Sequence, residues 1–144
     1  TSARDAGINA FRPVRGAGGW STEVLWQVKD VEMMFSNAVV TGDRLYGLSW
    51  KNSGQVFALD PRTGKVLWTG AAREATNSAI VKSGDLLFFL HEDARLVVAR
   101  GGAAGLERLK TYNVADSATW AQPTLSGNRI FIKDVASLTL WTTR

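Results

Sequence analysis

Ala58-Leu59-Asp60-Pro61-Arg62-Thr63-Gly64-Lys65-Val66-Leu67-Trp68 reads as strand, turn, strand. Apolar residues lead into Asp60, Pro61 comes early and Gly64 late in a tight reversal, and Val66-Leu67-Trp68 resumes β-branched and aromatic character. The ending recurs: Val24-Leu25-Trp26 repeats Val66-Leu67-Trp68, and the two tryptophans stand 42 positions apart. Gly42, Gly84 and Gly127 each follow a short apolar run and precede an aromatic one, in steps of 42 and 43. A repeat of that length made only of strands predicts an all-β chain of β-propeller blades, each of four antiparallel strands.

The repeat divides the chain. Residues 1–20 are small, polar and glycine-bearing, and are expected to form an N-terminal tail or loop. Residues 21–144 are expected to form blades: an outer strand at 23–28, a full blade at 35–69, a second at 77–112 and a three-stranded blade at 121–142. In the first full blade the strands are Ser36–Thr41, Arg44–Trp50, Gln55–Asp60 and Lys65–Thr69. Leu45, Leu87 and Ile130 share one offset from the turn glycines, and Tyr46, Phe88 and Phe131 the next. Neighbouring strand positions face opposite ways, so both faces are apolar, as in a blade buried between two others. About three blades fall short of a ring. Two arrangements fit: a partial propeller that is the C-terminal part of a larger one, or half of a dimeric ring closed by edge-to-edge pairing of two chains.

Composition narrows the function classes. The chain has 144 residues, 45% hydrophobic and 21% charged, which suffices for one real core. No run approaches the ~20 apolar residues of a membrane helix, so no membrane insertion is expected. The absence of cysteine excludes disulfides, thiolate metal sites and cysteine nucleophiles. The net charge is +4, but the basic residues are scattered and form no stripe, so no nucleic-acid partner is expected. The chain starts at Thr1 with no signal peptide, which says nothing about a parent protein.

Ala58, Asp60, Thr63, Gly64 and Trp68 together resemble the tryptophan-docking motif of the pyrroloquinoline-quinone (PQQ) type propeller repeat. In blade rhythm the resemblance covers about residues 20–144 and matches the last blades of such a protein. Glu23–Trp26 keeps only the motif's tail, and Val98, Arg100 and Leu109 are expected to stand where the second blade would carry Ala, Asp and Trp. The motif's work is structural: Gly64 permits the turn, Asp60 and Thr63 bind turn amides, and Trp68 lies on the neighbouring blade. The resemblance implies a non-catalytic module, a scaffold for a protein or polymer partner, in a periplasmic or extracellular setting. The outer-membrane assembly lipoproteins of bacteria are propellers of this kind without quinone. No cofactor is expected. The alternative, part of a quinoprotein dehydrogenase, implies PQQ with calcium, but the adjacent cysteines of that family are missing.

In a propeller the B–C loops and the loops between blades gather at one end of the channel. That places Trp50, Lys51, Asn52, His91, Glu92 and Asp134 as candidate ligand or partner residues. His91 and Asp134 share one blade offset, where the first blade has Ser49. His91, Glu92 and Asp93 cannot converge on a metal from one strand, because successive side chains alternate faces. No nucleophile motif accompanies the single histidine, so no catalytic residues are assigned. Met33-Met34-Phe35 is expected to pack the channel end, and Trp50 and Trp120 to pack between blades.

Overall fold

The turn glycines fix the hairpins: Gly42, Gly84 and Gly127 take φ near +60°, a conformation that costs glycine nothing. A computed structural model describes residues 1–143. Its strands are β1 (Ser2–Ala3), β2 (Gly7–Gly16), β3 (Gly19–Val28), β4 (Val39–Thr41), β5 (Arg44–Ser49), β6 (Gln55–Leu59), β7 (Val66–Thr69), β8 (Ser78–Ser83), β9 (Leu86–His91), β10 (Arg95–Gly101), β11 (Leu106–Asn113), β12 (Thr124–Ser126), β13 (Arg129–Lys133) and β14 (Leu138–Thr142). They form four antiparallel sheets in the orders β1-β2-β3, β4-β5-β6-β7, β8-β9-β10-β11 and β12-β13-β14. The second and third sheets are complete blades. The fourth holds three strands, and the first holds the long β2–β3 hairpin with the short β1 along the free edge of β2.

The N-terminal region corrects the sequence reading. Residues 1–20, expected as tail or loop, contain β1 and β2, and the outer strand β3 runs from Gly19 with β2 as its partner. Its residues are mostly exposed, so no apolar alternation marked it in the sequence.

Alternation sorts side chains onto the three joints between sheets. Tyr46 and Leu48 point from β5 toward the third sheet, where they meet Leu87 and Phe89. Phe57 and Leu59 point the other way, toward Ile8 and Val31 of the first sheet region. Phe88 and Leu90 face Ile130 and Ile132 of the fourth. Both faces of the inner blades are therefore core, as a continuous apolar strand requires.

Two kinds of fastening cross the joints. On the outer side, Trp26 Nε1 donates to the Pro61 carbonyl at 3.0 Å, and Trp68 Nε1 to the Gly102 carbonyl at 3.4 Å. The register explains the repetition. Ala10 pairs with Trp26 and Ala58 with Trp68, and in each case a bulge follows the alanine. Hence the first sheet carries the Ala–Trp pair of the motif, which the intervening hairpin hid from sequence. In the third sheet the same bulge follows Val98, and Val98 pairs with Lys110. Lys110, not Leu109, occupies the indole position. On the inner side, Asn37 lays its amide along β8, accepting from Ile80 N and donating to Ile80 O, both at 2.7 Å. Ser36 Oγ donates to Asn77 Oδ1 at 3.0 Å and accepts from Ser78 N at 2.9 Å.

Candidate functional site

The docking motif is engaged within the fold. Asp60 Oδ1 accepts from Arg62 N at 2.8 Å, while the Asp60 carbonyl accepts from Gly64 N at 2.8 Å and Thr63 N at 3.3 Å. The Arg62 amide holds the Asp60 carboxyl below its ordinary value. Thr63 Oγ1 accepts from Lys65 N at 3.3 Å. Gly64 sits at φ +74°, and a Cβ there would lie 2.6 Å from Trp26 Cε3, so the turn requires glycine twice over. Ala58 is fully buried, and the Trp68 ring lies 6.1 Å from that of Tyr46.

The loop end holds a different arrangement. Phe35, from the loop joining β3 to β4, stands edge-on between two indoles. Its ring centroid is 6.3 Å from Trp50, in the β5–β6 loop, and 6.3 Å from Trp120, in the loop joining β11 to β12, at 87° and 80°. Both are edge-to-face contacts of the kind the ring quadrupole favours. Phe35 remains 61% exposed and Trp120 59%, with Met34 exposed beside them. Two sequence expectations are corrected. Trp120 is not packed between blades, and of Met33-Met34-Phe35 only Met33 turns inward, toward the backbone of Gly47.

The three rings rest on fixed backbone. Trp50 N donates to the Glu32 carbonyl at 2.7 Å. Phe35 precedes Ser36 and Asn37, which are fastened to β8. Trp120 follows Thr119, a buried residue whose N–H reaches the Glu92 carbonyl at 3.0 Å and whose hydroxyl reaches the His91 carbonyl at 2.5 Å. The aromatic surface is thus held in place without a partner, the condition for binding at low ordering cost.

The polar candidates are engaged locally. Lys51 Nζ donates to the Lys29 carbonyl, and Asn52 Nδ2 to Gln55 Oε1 at 2.9 Å. His91 is buried, with Nε2 3.1 Å from Glu74 Oε1. Glu92 accepts from Thr76 N at 2.9 Å, Thr76 Oγ1 at 2.5 Å and Asn77 N at 3.0 Å. Burial pushes the Glu92 carboxyl up, but those hydrogen bonds together hold it below its ordinary value. Asp134 Oδ1 accepts from Ala136 N at 2.9 Å and Ser137 N at 2.5 Å, closing its own turn. His91 and Glu92 brace the backbone under Trp120. Glu74, which no sequence pattern singled out, ties His91 to Arg108.

The family described as outer membrane protein assembly factor BamB matches residues 4–119 by its sequence profile. No curated protein matches the chain. Among solved structures, BamB from Moraxella catarrhalis superposes with a TM-score of 0.66 at 17% identity, over 97% of this chain and 44% of that one. The computationally designed Ika8 protein superposes with a TM-score of 0.57 at 11% identity, over 99% of this chain and 54% of that one. The chain thus spans about half the length of these structures or less.

Proposed function

As the chain belongs to the family described as outer membrane protein assembly factor BamB, we propose that it is a protein-interaction part of a larger propeller and binds its partner through Phe35, Trp50 and Trp120. The observation that carries this reading is the convergence of three rings from three different loops, with Phe35 and Trp120 exposed. Exposed aromatic clusters on rigid backbone are the usual energetic centres of protein interfaces. The partner takes part in building outer-membrane proteins, and the module works outside the cytoplasm; both points rest on the family description. Lys51 and Asn52 border the cluster as a polar rim, with His91 and Glu92 supporting the loop that carries Trp120.

Among the described residues no group of three or more His, Asp or Glu side chains is placed to hold a metal ion, and the chain has no cysteine.

Photo-crosslinking in cells tests the proposal. A photoreactive phenylalanine analogue replaces Trp120, or Asp43 in the β4–β5 turn at the opposite end of the sheets. Adducts with outer-membrane assembly proteins are expected from position 120, absent from position 43, and lost when Phe35→Ala is added. Equal adducts from both positions, or none from position 120, overturn the reading.

A further inference from the structure

We propose that the joint between the third and fourth sheets is a binding site for a small amphipathic carboxylate with an indole-sized apolar body. The inference is independent of the aromatic surface at the loop end and concerns the opposite flank of the blades. The first two joints are each closed on their outer side by an indole, Trp26 on the Pro61–Gly64 turn and Trp68 on Gly102. At the third joint the register puts Lys110 where the indole belongs. A lysine stem cannot fill that space and keeps its ammonium at the surface.

The consequence is a cleft of about 590 Å³ between the two sheets. That lies within the roughly 300–1,000 Å³ of small-molecule sites. Phe88 and Val98 form one wall and Ile130 and Trp141 the other, while Lys110 and Asn128 supply polar groups. Among the described residues no aspartate or glutamate lines it. Trp141 Nε1 is committed to the Val114 carbonyl at 3.1 Å, so that ring serves as an apolar wall. The repeat itself indicates the body that fits, since the equivalent space in two neighbouring joints receives an indole. The lysine at the rim selects its charge: a carboxylate on that body meets Lys110, and an ammonium is repelled.

The experiment uses the full chain with indole-3-propionate as probe and tryptamine as its cationic counterpart. Titration followed by amide NMR is expected to give saturable shifts confined to β9–β14. Tryptamine is expected to bind about tenfold more weakly, the worth of one charge-assisted contact. Lys110→Trp rebuilds the indole of the other joints, and is expected to raise the melting temperature and abolish probe binding. Lys110→Met keeps the apolar wall and is expected to bind both probes alike. Absence of saturable shifts, shifts elsewhere in the chain, binding that survives Lys110→Trp, or a charge preference that survives Lys110→Met each overturn the proposal.

Discussion

Glu74 Oε1 lies 3.1 Å from His91 Nε2, and the same oxygen accepts from Arg108 Nη1 at 3.0 Å. The carboxylate is nine-tenths buried between the two and joins the loop after β7 to strands β9 and β11. The contact with His91 lowers its pKa, burial opposes, and Arg108 adds to the lowering; the result is about 2, against an ordinary 4.5. The unfolded chain therefore takes up a proton near pH 4.5 that the folded chain refuses until about pH 2. This contribution to stability is fully present above pH 4.5 and is lost as the pH falls toward 2. Denaturant unfolding measured from pH 6 down to pH 2 is expected to show stability falling with a slope of up to about one proton, flattened in Glu74→Gln. An unchanged acid limb in that variant contradicts the assignment.

Trp68 is half-buried against Tyr46 and donates one hydrogen bond, so Trp68→Ala should cost about 2–4 kcal/mol. Trp68→Phe keeps the ring and loses the donor, and should cost about 1 kcal/mol. Urea midpoints at constant slope measure both.

Gly64→Ala is expected to be more damaging than its size suggests. The new methyl meets the Trp26 ring at 2.6 Å and the backbone stays at φ +74°. If the clash dominates, Trp26→Ala should recover part of the loss. A double-mutant cycle on thermal stability reads this directly, and additivity would remove the contact from the explanation.

Phe35→Ala and Trp120→Ala should change stability little, because both side chains are mostly exposed. Each ring pair is worth about 0.5–1.5 kcal/mol beyond its buried area; Trp120→Ala removes one pair and Phe35→Ala both, so the expected loss for Phe35→Ala is up to about twice that for Trp120→Ala. Calorimetry of the single variants checks the prediction, and a loss of several kcal/mol would make the cluster a structural one.

Among the described residues the outer edges of β3 and β14 pair with no further strand, and Trp20, Val24, Leu138 and Leu140 are exposed along them. Such edges recruit further strands. Native mass is expected to rise with concentration, and a stable monomer over a tenfold range would contradict this.

Much of the architecture was legible because the signals were local. Gly42-Asp43 and Pro61–Gly64 mark turns by their own chemistry, and Leu45/Tyr46 and Leu87/Phe88 mark blades buried on both faces. Legibility failed where pairing is distant or irregular. Strand β2 carries Pro13 and few buried residues, so only its pairing with β3 reveals it. The identity of Lys110 as the indole position depends on a bulge after Val98. Trp120 read as packed because sequence cannot bring it beside Phe35, 85 positions earlier; the inner fastening of Ser36 and Asn37 does so.

The substitution at Lys110 also has a mechanical meaning. A row of sheets stapled along one side bends least where the staples are and most where one is missing. Among the described residues the fourth sheet is held to the third by the shared core and by the Trp141–Val114 and Val135–Ser117 bonds to the loop after β11, with no indole bridging outward from β11. That joint is therefore expected to open first, with β12–β14 peeling away while the first three sheets stay closed. The amides of β13 then exchange with solvent ahead of those in β5 and β9.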